Sequence, residues 1–144
     1  MAKIVGIHTR KETAWASYTP AIVGFGTVTG VQFEWKRIQD TLYVRGIWTN
    51  GTVQAITARI PFPIVDGFTL VSSNSGYRNA GSFQNSNGLS DNRMNILIEG
   101  ATSSFTLSRG GVLSSVVGST FNTGEGNYIF ASAPIAGWTV DGNT

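Results

Sequence analysis

Cysteine is absent from this chain, histidine occurs once, at His8, and only 12% of the residues are charged. The first absence excludes disulfides, thiolate metal ligation and a thiol nucleophile. With one imidazole and no thiolate, a zinc site lacks its usual donors, and no Asp-rich calcium loop of the DxDxDG kind occurs. A Ser-His-Asp triad would have to recruit His8 from the N-terminal stretch, and no Gly-x-Ser-x-Gly elbow exists to receive it. We therefore expect His8 to be a surface or interface residue. No Walker A pattern appears, and "FGTVTGV" leads into a strand pattern rather than the helix that a phosphate loop requires.

Charge of one sign is also scarce. Ten Lys and Arg against eight Asp and Glu leave a formal charge of +2. Arg10-Lys11 and Lys36-Arg37 are the only adjacent basic pairs. Nothing forms a stripe that could follow phosphates, so no nucleic-acid partner is expected. The eight carboxylates are Glu12, Glu34, Asp40, Asp66, Asp91, Glu99, Glu125 and Asp141. None lies in an aromatic-flanked motif of the kind a glycosidase pair would occupy. Asp40, Asp66, Asp91 and Asp141 read instead as turn residues, and no catalytic residue is assigned. Long hydrophobic runs are missing too. In "MAKIVGIHTRKETAW" the apolar run ends at His8, too short for a signal core or a membrane span. The expectation is a protein made in a cell's cytoplasm without Sec export, with no membrane insertion and no cofactor.

What remains is 41% hydrophobic residues, 18 glycines and many Ser, Thr and Asn. A chain of 144 residues can form one domain that buries roughly 70% of its unfolded surface. Alternation with period two dominates. In "VQFEWKR", Val31, Phe33 and Trp35 share one face, and in "TLYVRGIWT", Leu42, Val44 and Trp48 oppose Tyr43, Arg45 and Ile47. "IQD" joins these runs as a hairpin, and the Asn-Gly of "TNGT" suggests a type I′ turn. Three consecutive antiparallel strands are expected at about 31–37, 41–49 and 53–60. Later runs, "YRNAGSFQ", "RMNILIEG", "SSFTLSRG", "GVLSSVV" and "EGNYIFAS", are short and separated by turn residues. No sustained helical period appears. The expected fold is all-β, an antiparallel sandwich over 21–144 preceded by an extended arm over 1–20. Its core includes Phe33, Trp35, Leu42, Val44, Trp48 and Trp138.

Residues 72–92 are dense in Ser, Asn and Gly, which suits either a flexible linker or an ordered surface excursion with a short strand. Tyr77, Phe83 and Leu89 would be wasted in a linker, which favours the excursion. Aromatic side chains can stack on sugar rings while Asn and Arg bind hydroxyls. That makes Tyr77, Arg78, Asn79 and Phe83 the candidate glycan contacts. Ile4, Val5, Ile7, Arg10, Lys11 and Trp15 are the candidate docking residues of the arm. Exposed strand edges would be covered by further copies of the chain.

"WASYTP" at 15–20, "GFGTVTGVQFEWKRIQDTLYVRGIWTNGTVQAITARIPFP" at 24–63 and "PIAGW" at 134–138 together resemble a β-structured module common in tailed-bacteriophage virion proteins. The resemblance implies a non-enzymatic, jelly-roll-like sandwich, usually trimeric, at the virion surface on tail fibres or tail tips. Such a module binds host-surface glycans or other virion proteins. The alternative within the same resemblance is a capsid decoration protein clamped to the major capsid protein through the arm. A polysaccharide-degrading enzyme is a third reading and needs a carboxylate pair that the sequence does not display.

Overall fold

In the computed structural model the described residues are 12–63, 77–86, 94–99, 104–109 and 116–135. Eight strands follow in chain order: β1 (Ala16–Tyr18), β2 (Thr29–Ile38), β3 (Thr41–Thr49), β4 (Arg59–Pro61), β5 (Tyr77–Asn85), β6 (Met94–Glu99), β7 (Ser104–Arg109) and β8 (Gly126–Pro134). The one helical turn among the described residues is a 3₁₀ turn over Gly118–Thr120. Every strand pairing is antiparallel, in the order β1-β2-β3-β8-β5-β6-β7-β4. The molecule is thus an all-β antiparallel sandwich, as its alternation and turn chemistry require.

The two ends of this strand order approach each other. The Tyr18 hydroxyl donates to the Pro61 carbonyl at 3.1 Å, and Val23 and Arg59 exchange backbone hydrogen bonds of 2.9 and 3.1 Å. One continuous core lies between the halves. Phe33, Leu42, Val44 and Trp48 meet Ala58, Ile60, Phe105 and Leu107 there, with Phe83, Phe121 and Ile129. Rings in edge, tilted and stacked contact carry it from strand to strand. Trp48 touches Phe25, Phe33 and Phe83 at centroid distances of 5.4, 5.8 and 6.0 Å. Trp35 is partly buried against this cluster, and Trp138 lies outside the described residues.

Two glycine arrangements show how the sequence shapes the core. Gly24 and Gly26 both take positive φ, and a Cβ on Gly26 would stand 2.3 Å from the Thr52 carbonyl oxygen. Only glycine fits there, and the pair turns Phe25 fully inward. "GFGT" is therefore a plug for the core. On β3, Gly46 pairs with Phe33, whose ring occupies the place of a side chain: a Cβ on Gly46 would lie 2.3 Å from it.

Several expectations need correction. The hairpin of β2 and β3 forms as read, with Gln39 at φ 55° in its tight turn. The third strand does not follow it. From 53 to 58 the one strand-type pairing is an isolated bridge at Thr57, beside loop hydrogen bonds at Gln54, Ile56 and Ala58, and Arg59–Pro61 pairs with β7. The other side of β3 is taken by β8, which comes from far along the chain. Asn50-Gly51 is not a type I′ turn, for neither residue has positive φ. Asn50 is instead buried as a polar node. Its Oδ1 accepts from Trp48 Nε1 at 3.0 Å and from Asn127 Nδ2 at 2.7 Å, and its Nδ2 donates to the Asn122 carbonyl at 3.0 Å.

The Ser/Asn/Gly-rich stretch is no surface excursion where it is described. Residues 77–85 form a nine-residue strand between β8 and β6, with a bulge between Asn79 and Gly81. Ser82 and Gln84 take exposed positions on it, and a neighbouring strand on each side supplies the ladder hydrogen bonds. The last residues of the expected arm, 12–20, lie against the sheet. Ala16–Tyr18 pairs with β2, and Glu12 bridges Ile38, whereas Ile4, Val5, Ile7, Arg10 and Lys11 lie outside the described residues.

Replacing Asn50 with Ala strips the buried Trp48 indole of its acceptor, leaves Asn127 Nδ2 with only its two 3.5 Å carbonyl contacts, and should cost about 2 kcal/mol. Replacing exposed Asn122, whose backbone carbonyl does the work, should cost about 0.5 kcal/mol or less. Urea unfolding of both variants measures the contrast. Burial also pushes the Tyr18 hydroxyl well above the ordinary phenol range. The native state then holds its proton after the unfolded chain has lost it, so this contribution to stability is complete below about pH 10 and declines above it. The urea midpoint should fall between about pH 8 and about pH 11, and fall less in Tyr18→Phe.

Candidate functional site

Alternation places every second side chain of β2, β3, β8 and β5 on the sheet face away from the core. Register then aligns them into rungs. One rung runs Gln32, Ile47, Tyr128, Gln84 across four strands, and the next runs Ser17, Glu34, Arg45, Phe130, Ser82 across five. Outward strand positions usually carry polar residues. Here Ile47, Tyr128 and Phe130 are exposed by 40, 42 and 40% and adjoin one another. Tyr43 extends this apolar area, its ring 6.4 Å from that of Phe130.

The charges beside it are matched. Arg45 donates from Nε at 2.8 Å and from Nη2 at 2.6 Å to one Glu34 oxygen, and its guanidinium lies 4.0 Å from the Trp15 ring centroid. Lys36 pairs with Glu12 at 2.8 Å and stands 5.4 Å from the same ring. An exposed ion pair contributes about 0.2–1 kcal/mol and an exposed cation–π contact about 0.5–1 kcal/mol. Together with the Thr13 and Arg37 backbone contacts, they hold residues 12–18 flat against β2. Glu12, Glu34, Lys36 and Arg45 thereby neutralise one another.

Two concavities open on this face. One of about 440 Å³ is bounded by Tyr18, Gln32, Glu34 and Arg45; the other, of about 370 Å³, is bounded by Thr49, Gln84, Asn85 and Ser86. Ile47 and Tyr128 line both, so the two concavities adjoin the first rung. Asn85 Nδ2 donates to Asn127 Oδ1 at 2.8 Å, and Asn127 in turn reaches Asn50. The second concavity is tied directly to the buried polar node.

The sequence-based site residues fall elsewhere. Tyr77 and Arg78 begin β5 and, with Asn79, pair with Glu99, Ile98 and Leu97 of β6. Phe83 must be withdrawn as a surface contact: it is 3% exposed, turned inward by the alternation of β5 and packed on Trp48 and Phe121. Trp15 lies on the outer face beneath Arg45. The exposed residues of this face that the sequence reading did not single out are Phe130 and Gln84, whereas Tyr128 counts among the aromatics that could stack on a sugar ring. The signal was present in "GNYIFAS", whose two faces are both bulky, as are those of "TLYVRGIWT".

His8 lies outside the described residues. Among the described residues no three His, Cys, Asp or Glu groups stand close enough to hold a metal ion, and no helix is long and apolar enough to cross a membrane. Asp40 occupies the β2–β3 turn, where its carboxylate accepts from the Thr41 hydroxyl at 3.2 Å. The chain matches no known family, no curated protein and no solved structure.

Arg45→Ala removes an ion pair and a ring contact at once. Amide hydrogen exchange of residues 13–18 should rise several-fold while global stability moves by about 1 kcal/mol or less.

Proposed function

We propose that this chain is a non-enzymatic structural module of a tailed-phage virion, a homotrimer displayed at the particle surface in the manner of a tail-fibre or tail-tip subunit. Its outer sheet face over β2, β3, β8 and β5 makes contact with the host surface or with another virion protein. The observation that carries this reading is the placement of large side chains. A sandwich of this size already has a continuous core, yet Ile47, Tyr128 and Phe130 are spent together on the opposite face. Contiguous exposed apolar residues rimmed by polar ones mark interaction surfaces. The virion assignment is supported by the sequence resemblance over 15–20, 24–63 and 134–138. A jelly-roll-like connection of the strands belongs to the same reading, as does attachment through the residues before 12.

Trimerisation would leave this face free by using strand edges, which present unpaired backbone groups and gain from coverage. Sedimentation should give three times the 15.4 kDa chain mass. Gold-labelled antibody against the chain, viewed on purified particles of the phage that encodes it, tests the assignment. Label at the tail supports it, label over the head moves the chain to the decoration role, and unlabelled particles refute it.

A further inference from the structure

We propose that Asn50-Gly51 is a spontaneous modification site that the native fold holds closed, so that ammonia loss at Asn50 follows unfolding and then bars refolding. The inference is independent of the biological role proposed above.

An asparagine before glycine is the least durable kind, because no side chain on the next residue shields the backbone nitrogen. In this chemistry the Gly51 nitrogen loses its proton to water and attacks the Asn50 Cγ. A C–N bond forms, the side-chain nitrogen takes a proton and leaves as ammonia, and a five-membered imide closes. Water then opens the imide at either carbonyl. One opening gives aspartate, and the other gives isoaspartate, in which the main chain runs through the side-chain carbon. Water is the only co-reactant, and nothing is oxidised or reduced.

Neither residue of the pair can be exchanged for a more durable one. Asn50 supplies the acceptor for the Trp48 indole and for Asn127, and the donor to the Asn122 carbonyl. A Cβ on Gly51 would stand 2.3 Å from the Thr27 carbonyl oxygen. The fold keeps the pair and blocks its chemistry instead. Asn50 is 4% exposed. The Gly51 N–H donates at 2.9 Å to the carbonyl of Phe25, which the positive-φ glycines on either side hold in place. A proton engaged there is not available to water. Turning Cγ toward that nitrogen would break the carboxamide's bonds of 3.0, 2.7 and 3.0 Å to Trp48, Asn127 and Asn122. These bonds join β3 to β8 and to the turn before it, so they open with the domain rather than with a loop.

The product does not fit the node. Aspartate at position 50 has no N–H to offer the Asn122 carbonyl, and its charge would be buried in a turn that already carries Glu125, bonded to Asn122. Burying a charge costs far more than burying the amide it replaces. Isoaspartate lengthens the main chain by one carbon where the Asn50 N–H meets the Glu125 carbonyl and the Gly51 N–H meets that of Phe25.

The test is peptide mapping by mass spectrometry of the full chain, incubated folded and in urea at mildly alkaline pH. In urea, Asn50 and Asn87, which also precedes a glycine, should convert at similar rates. In the folded protein, conversion at Asn50 should be at least about a hundredfold slower than in urea, because the unfolded fraction is about 10⁻³ or less. At intermediate urea it should rise in step with the unfolded fraction. After urea is removed, converted residue 50 should be confined to the chains that fail to refold. A folded-state rate closer to the urea rate than about a hundredfold would overturn the proposal. So would a rate indifferent to the unfolded fraction, or converted chains that refold with the unaltered urea midpoint.

Discussion

The hydrogen bond from the Trp48 indole to the Asn50 carboxamide is the constraint on which the rest of the structure depends. A tryptophan with 1% exposure must find an acceptor for its N–H inside the protein, and Asn50, two residues on, provides it. The same oxygen receives Asn127 from β8, while the Asn50 backbone receives Gly124 and donates to Glu125. With the bond to the Asn122 carbonyl, the polar groups of Asn50 are engaged on every side. One buried amide thus ties the exit of β3 to the start of β8 and to the turn before it. A network satisfied in full specifies a single arrangement, where a partly satisfied one would cost more than an apolar core.

That arrangement sets both faces of the sheet. Inward, the fixed indole meets Phe25, Phe33 and Phe83, and Phe121 closes the ring cluster against Phe25 and Phe83. Outward, the register between β3 and β8 is pinned, since a slip of one residue would exchange core and surface along both strands. Ile47 consequently stands beside Tyr128 and Arg45 beside Phe130. The outer face thus follows from the inner node, and Asn127 borders the second concavity as well as bonding Asn50.

Much of this was legible in residues close together in the chain. The alternation of "VQFEWKR" and "TLYVRGIWT" placed Phe33, Leu42, Val44 and Trp48 inward, as the structure has them. Pairings between distant segments were not legible. Nothing local in "GNYIFAS" says that it lies beside β3, and the Asn-Gly at 50–51 carries a strong local turn signal that a long-range polar contact overrides. Phe83 was misplaced for a related reason. Its neighbours are small and polar, so composition suggested surface, while the period-two position that turns it toward Trp48 has meaning only once β5 is known to lie between β8 and β6. The outer site was hidden because an exposed aromatic and a core aromatic look alike until the register assigns a face.

Hydrogen exchange of the tryptophan indole protons, followed by NMR, tests the central role of the Trp48–Asn50 bond most directly. The account predicts that the Trp48 indole proton exchanges only with global unfolding, together with the slowest amides of β3 and β8, while the Trp15 indole exchanges far sooner. A Trp48 proton that exchanges as fast as that of Trp15 would contradict it.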